Sequence, residues 1–346
     1  MSSNTATAAA YDAFLLVSFG GPEGPDDVLP FLENVLRGKN VPRERMLEVA
    51  EHYQHFGGVS PINEQNRQLL SAIEAEFKSR GITLPLYWGN RNWNPLLQET
   101  LAQMAADGKR RAIALFTSAF SSYSGCRQYR ENIAAARETV GPAAPEVDKL
   151  RMFYNHPAFI EVNAEHVAEK LALVPAERRA KTLLLFTAHS IPMSMAENCR
   201  YELQLNDACK SVAAQLGHNN YKLVYQSRSG PPQQPWLEPD VCDEIRAQHA
   251  AGLEDVVVLP IGFISDHMEV LYDLDTEAKD LCAELGVNFH RAATVGVHPK
   301  FVRMIVDLVV ERMTGATERP AIGELGPSHD VCPVNCCTYT PQRPVR

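Results

Sequence analysis

Three groups of residues in this chain have the types and spacing that chemistry needs. The first is AHSIP (188–192), where an apolar run ends in His189 and is closed by Pro192. A histidine leaving the end of a strand faces whatever cleft lies beyond it, and an imidazole accepts a proton near neutral pH or binds a metal. Taken alone, His189 reads more simply as a loop histidine held by hydrogen bonds.

The second group is SDHMEVLYDLDTE (265–277), which follows another apolar run. As a helix it sets Glu269, Asp273 and Glu277 at i, i+4 and i+8, on one face. Carboxylates at that spacing repel one another, so the helix gains nothing structural from them. Such a row can pass protons or hold a hard or borderline cation. The plainer alternative is a solvated acidic face. The row begins at a strand end, and His267 stands beside Glu269, which favours the chemical reading.

The third group is CPVNCC (332–337), with spacing Cys-x3-Cys-Cys. Adjacent Cys336 and Cys337 make poor disulfide partners for each other. Soft thiolates suit zinc or an iron–sulfur cluster, and either normally needs a fourth ligand from elsewhere. Spacing does not choose between the two metals, and an unliganded tail is the alternative. The glycine turns FGGPEGP (19–25) and FGGVSP (56–61) match neither phosphate-binding pattern. They read as tight turns against a large flat ligand. Aromatics near strand ends (Phe19, Trp93, Tyr123, Tyr129, Trp236) suit a macrocycle, although packing explains most aromatics.

These groups need a scaffold that delivers strand ends to one place. Apolar runs at 13–19, 84–90, 111–120, 181–190, 221–227 and 254–263 read as strands buried on both faces of parallel sheets. Helical patterns alternate with them at 62–80, 96–107, 127–138, 159–173, 195–216, 239–251, 267–286 and 298–314. Such alternation indicates βαβ units in α/β, doubly wound sheets. The pattern runs twice, with a join within 150–180. Two Rossmann-like domains are therefore expected, 1–155 and 156–315, followed by an irregular Cys-containing tail, 316–346. Ligands in such folds bind beyond the carboxyl ends of the strands and in clefts between domains.

The 346 residues carry a net charge of −9, with 45% hydrophobic and 22% charged side chains. That acidic balance argues against a nucleic-acid partner. The first residues lack a basic n-region, and the apolar run 13–17 is too short for a signal peptide. No apolar stretch is long enough for a membrane span. A cytoplasmic protein is expected, so its eight cysteines should be thiols or ligands rather than disulfides.

Six stretches in order, LLVSFGGPEGPDDVLPFLENV (15–35), HYQHFGGVSPINEQN (52–66), WGNRNWNP (88–95), FTAHSIPMS (186–194), YQSRSGPPQQPWLEP (225–239) and PIGFISDHMEVLYDLD (260–275), together resemble the ferrochelatase family. The resemblance covers roughly 11–315, and the combination of AHSIP, QSRSGP and SDHxExLYDLD is specific. It implies two Rossmann-like domains with a porphyrin in the cleft between them. The expected activity is insertion of ferrous iron into that porphyrin during haem b synthesis. It puts catalysis and Fe²⁺ binding on His189 and Glu269, with the acidic row continuing through Asp273 and Glu277. Porphyrin contacts fall on Phe19, Tyr53, Ser60 and Tyr129. Phe19 stands where relatives often carry Tyr or Met, and offers iron neither oxygen nor sulfur.

Some relatives hold a [2Fe–2S] cluster on one internal and three C-terminal cysteines. In this sequence those positions fall on Cys126, Cys332, Cys336 and Cys337, which raises iron–sulfur above zinc. SFGGPEGP and GNRNW look like the branch that metallates coproporphyrin III, with protoporphyrin IX as the alternative substrate. More distant alternatives are a chelatase for another tetrapyrrole, with paired histidines in the metal site, and a non-catalytic haem carrier or sensor. PFLENVLRG (30–38) suits an apolar lip touching a membrane surface or a neighbouring enzyme of the haem pathway, and equally an ordinary packed amphipathic helix.

Overall fold

The structure is a computed structural model, and it describes residues 10–38, 41–231 and 233–339. The N-terminal segment 1–9, read above for a missing n-region, lies outside the described residues, as does 340–346 at the end of the tail. Two sheets carry the fold, each of four parallel strands. The first holds β1 (Ala13–Ser18), β2 (Leu86–Asn90), β3 (Arg111–Phe116) and β4 (Glu146–Lys149) in the order β2-β1-β3-β4. The second holds β5 (Leu183–His189), β6 (Tyr221–Gln226), β7 (Asp255–Leu259) and β8 (Asn288–Arg291) in the order β6-β5-β7-β8. One wiring scheme thus occurs twice, as the repeated apolar pattern predicted.

The central strands explain themselves. Every residue of β1 and β7 is buried, and β3 and β5 each show only one terminal residue that is not. Burying each large aliphatic side chain contributes about 1.5–3 kcal/mol. Two of the four edge strands, β4 (EVDK) and β8 (NFHR), escaped the sequence reading. Each is four residues long and mostly half-exposed, so no apolar run marks it.

In each sheet the chain steps from the first strand to one side, then crosses to the other. That reversal opens a crevice at the carboxyl ends of β1 and β3, and again at those of β5 and β7. The loops there carry Phe19 and Tyr123 in one half and His189 and His267 in the other.

Helices α1 (Val28–Val35), α2 (Arg43–His55) and α3 (Ile62–Ser79) follow β1. Val28, Phe31, Leu32, Met46, Ala50 and Tyr53 form a small core that also takes Met268 from the second half. The rings of His52 and Tyr272 stack across the halves, 3.7 Å apart and 8° from parallel. The backbone N–H of Asp266 donates to Gln65 Oε1 at 2.8 Å. The last helix, α4 (Pro299–Thr314), returns to the first half, where Arg80 at the end of α3 bonds Asp307 at 2.5 Å. The tail beyond it has no regular structure in its described residues, yet it is fixed. Arg151, 1% exposed, grips Glu311 with two bonds of 2.7 and 3.0 Å and also donates to Pro320 O. Asn155 Nδ2 donates to Gly326 O at 2.7 Å.

Candidate active site

His189 is the last residue of β5, and Ser190 onward leaves the sheet. Its Nδ1 donates to Ser190 O at 2.5 Å, which keeps a proton there and leaves Nε2 facing outward. Nε2 lies 3.4 Å from Glu269 Oε2. The Tyr201 hydroxyl donates to the His189 carbonyl at 3.2 Å. Across the strand, Gly262 lets the loop after β7 pass close. A Cβ there would sit 2.7 Å from Ala188 Cα, so this loop and the histidine strand touch only because position 262 has no side chain.

Glu269 opens a composite helix, Met268–Val270, then a π-helical stretch Leu271–Ala278, then Lys279–Leu285. The expected single α-helix is therefore wider in its middle. In an α-helix, steps of four overshoot a full turn; in a wider π-helix they fall short. Passing from one to the other keeps Glu269 and Asp273 on the same side. π-stretches of this kind recur at functional sites.

Asp273 is held tightly. Its Oδ2 accepts a short bond from the Ser227 hydroxyl and another from Gln226 Nε2 at 3.2 Å. Thr187 Oγ1 donates to Gln226 Oε1 at 2.8 Å, which fixes the amide. Burial pushes the Asp273 carboxyl up to about 7, with Glu269 and Glu277 adding to it and the Ser227 hydroxyl opposing. Burial pulls His189 down, but the Glu269 carboxylate and the Ser190 carbonyl outweigh it, and its net shift is upward. His267 moves down, mainly through burial. Glu277 is the outermost member of the row and acts on Asp273 through its charge. It is exposed, and burial of its carboxyl together with Asp240 raises its pKa.

The first half meets the segment after β7 through the small core that takes Met268, with Phe19 and Trp93 packed against it. Phe19 packs edge-on against Phe31, with ring centres 6.2 Å apart. The Arg91 guanidinium lies 5.6 Å from the Phe19 ring and 4.6 Å from that of Tyr129. Tyr129 is buried and stacks on Phe116. Tyr53 is buried near enough to Glu269 that the carboxylate, after burial itself, raises its hydroxyl's pKa. Ser60 is buried behind Gly21, where an added Cβ would meet it at 2.7 Å. The 30–38 segment packs Phe31 and Leu32 inward and turns Glu33 and Arg37 to solvent, the pattern of a packed amphipathic helix. Sequence reasoning passed over Tyr201 and the side chains of Gln226 and Ser227 that bond Asp273, with Thr187 behind Gln226. Only the place of Ser227 beyond a strand end signalled any of them.

The sequence matches the ferrochelatase family over residues 11–313. The chain belongs to the ferrochelatase family. It is 64% identical over 335 residues to a protein named ferrochelatase from Rhodopirellula baltica, covering 96% of this chain and 95% of the relative. It is 51% identical to a coproporphyrin III ferrochelatase from Streptomyces coelicolor, covering 97% and 96%. Among solved structures, SirB from Bacillus subtilis with Fe³⁺ shares the fold, with a TM-score of 0.55 at 10% identity over 88% of this chain and 97% of that one. As a ferrochelatase-family enzyme this chain is a metal chelatase that puts iron into a porphyrin.

In this ferrochelatase the tail thiols converge with the internal one. Cys126, in a π-helical turn (Tyr123–Arg127), neighbours Cys332, and the interaction of the two thiols pushes the Cys126 thiol up and the Cys332 thiol down. The sulfurs of Cys336 and Cys337 are 3.4 Å apart. Ligand atoms of His329, Cys332 and Cys336 all lie within 4.8 Å of one another. The Arg127 guanidinium donates to the carbonyls of Val334 and Cys336 at 2.7 and 3.0 Å, which pins the loop. Soft donors of this kind, with Cys126 and Cys337 nearby, fit a thiolate-rich metal or cluster site. His329 is a ligand candidate that the sequence reading missed. No helix among the described residues is long and apolar enough to cross a membrane.

Proposed function

We propose that this chain inserts ferrous iron into coproporphyrin III, with protoporphyrin IX the poorer substrate, and works in the cytoplasm. Several relatives near half identity over almost their full length carry the coproporphyrin name. Coproporphyrin has more propionates than protoporphyrin, and Arg91 stands over two aromatic rings of the first half, where a carboxylate beside a flat ring would lie. The domains take the boundaries 1–155 and 156–315, with 316–346 as the cysteine-bearing tail.

The observation that carries the mechanism is the His189–Glu269 pair at 3.4 Å. Metallation must remove two pyrrole protons while iron sheds water. His189 Nε2, its basicity raised by Glu269, takes the two pyrrole protons one after the other and hands each on through Glu269 and Asp273; the Glu269 carboxylate, and the imidazole once Nε2 is again unprotonated, meet the incoming Fe²⁺. Asp273, poised near neutrality, passes the proton on towards Glu277 and solvent; a group with a pKa near the working pH does this best. Phe19, Tyr53, Ser60 and Tyr129 form or back the wall that holds the macrocycle. A bent ring exposes its nitrogen lone pairs, so a wall complementary to a bent ring favours the transition state over free substrate.

In the same reading, Cys126, Cys332, Cys336 and Cys337 hold a [2Fe–2S] cluster, which supplies one-electron chemistry or cross-links tail to body. The test mixes anaerobic protein with Fe²⁺ and each porphyrin separately and follows the visible spectrum. Faster metallation of coproporphyrin is expected. The reverse preference overturns the substrate, and binding of both without metallation overturns the reaction.

A further inference from the structure

Lys149 is the last residue of β4, and only 7% of it is exposed. Lysine is almost never buried to that degree without a partner of opposite charge. Among the described residues no carboxylate pairs with it. Its Nζ makes a single long bond, 3.4 Å, to the neighbouring Leu150 carbonyl. Topology explains where it points its charge. Lys149 pairs with Ala114 of β3, and the chain leaving the end of β3 leads to the turn that holds Cys126. The ammonium is near enough to the thiols for its charge to act on both Cys126 and Cys332, ahead of any other cation.

We propose that Lys149 is the buried counter-cation of the thiolate-held cluster and sets its reduction potential. The inference rests on the [2Fe–2S] reading above and extends it to a residue outside the ligand set. A cluster on four thiolates carries net negative charge and gains one more on reduction. A fixed cation at short range in a low-dielectric site favours the reduced form more than the oxidised one. The missing partner of Lys149 and the missing neutralisation of four thiolates are then one and the same arrangement. The three tail ligands come from a loop that could be anchored anywhere on the surface, so its seat beside this lysine has a physical reason.

The test uses the full chain, reconstituted anaerobically with iron and sulfide, and three variants: Lys149→Arg, Lys149→Met and Lys149→Gln. Midpoint potential by visible spectroelectrochemistry and iron and sulfide content are read together, with circular dichroism as the check on folding. Lys149→Arg should keep the wild-type midpoint. Lys149→Met and Lys149→Gln should reduce at a more negative potential and lose their visible absorbance in air several-fold faster. A folded neutral variant that holds no cluster while Lys149→Arg holds one supports the same conclusion. A neutral variant with the wild-type midpoint overturns it, as does loss of the cluster in Lys149→Arg, which would make the site one of shape rather than charge. A wild-type protein that stays colourless and binds zinc instead would remove the [2Fe–2S] reading itself, an outcome distinct from an unchanged midpoint.

Discussion

His189 Nε2 and Glu269 Oε2 meet at 3.4 Å although one ends β5 and the other opens the helix after β7. Their side chains remain 33% and 50% exposed, so the pair is worth only about 0–1 kcal/mol to stability. Its placement serves the cleft. Replacing His189 with Ala should lower kcat by roughly 10²–10⁴-fold, the usual worth of a positioned acid–base group. The melting temperature and porphyrin affinity should stay near wild type. Stopped-flow metallation and porphyrin fluorescence quenching separate these effects, and normal turnover would remove His189 from the reaction.

Glu269→Gln keeps the shape but removes the charge that holds the imidazole up. The His189 pKa should fall, because burial is then less opposed. An NMR titration of labelled histidine reads this directly. The limb of the kcat profile governed by the imidazole should move to lower pH by the same amount. A His189 pKa that does not move would mean that the Ser190 carbonyl, rather than Glu269, sustains its basicity.

Asp273 titrates at about 7 in the folded chain against 3.8 for the free side chain. The folded state binds this proton more tightly than the unfolded state, so stability is lost as pH rises through the window from 3.8 to about 7. Asp273→Asn removes that loss. The stability of the variant relative to wild type should improve between pH 5 and pH 8, by on the order of 1 kcal/mol or more, while activity falls. Urea unfolding at the two pH values measures it, and a difference independent of pH would place the Asp273 carboxyl in the ordinary range.

Arg151 is 1% exposed and its partner Glu311 10%. Arg151→Met strands a buried carboxylate that keeps only Arg319 at 3.1 Å. A loss of about 3 kcal/mol is expected, the low end for breaking a buried pair. Adding Glu311→Gln should restore part of it. Thermal unfolding of the single and double variants decides the point.

The sequence announced the strands at the centre of each sheet, because a strand buried on both faces writes itself as an unbroken apolar run, and the edge strands β2 and β6 as well. It was silent on β4 and β8, whose four residues each, EVDK and NFHR, are too short and polar to make such a run. It placed Glu269, Asp273 and Glu277 at i, i+4 and i+8 of one α-helix, but periodicity over eight residues cannot separate a π-helix from an α-helix, and the stretch Leu271–Ala278 is π-helical. Cys126 was found through the family pattern rather than through its own surroundings, since spacing along the chain says nothing of a loop that returns from two hundred residues away. Lys149 was invisible for the opposite reason. A lone lysine in EVDK looks like surface, and only its burial makes it unusual.

The repeated strand order β2-β1-β3-β4 and β6-β5-β7-β8 has a consequence for how this enzyme can change. One plan has been used for two trades. In the proposed mechanism the copy carrying Phe19, Arg91 and Tyr129 would supply a surface, and the copy carrying His189, Glu269 and Asp273 would supply reactivity. On that mechanism, selection on which ring is accepted would act in the first copy and selection on which metal enters in the second, each with little disturbance of the other.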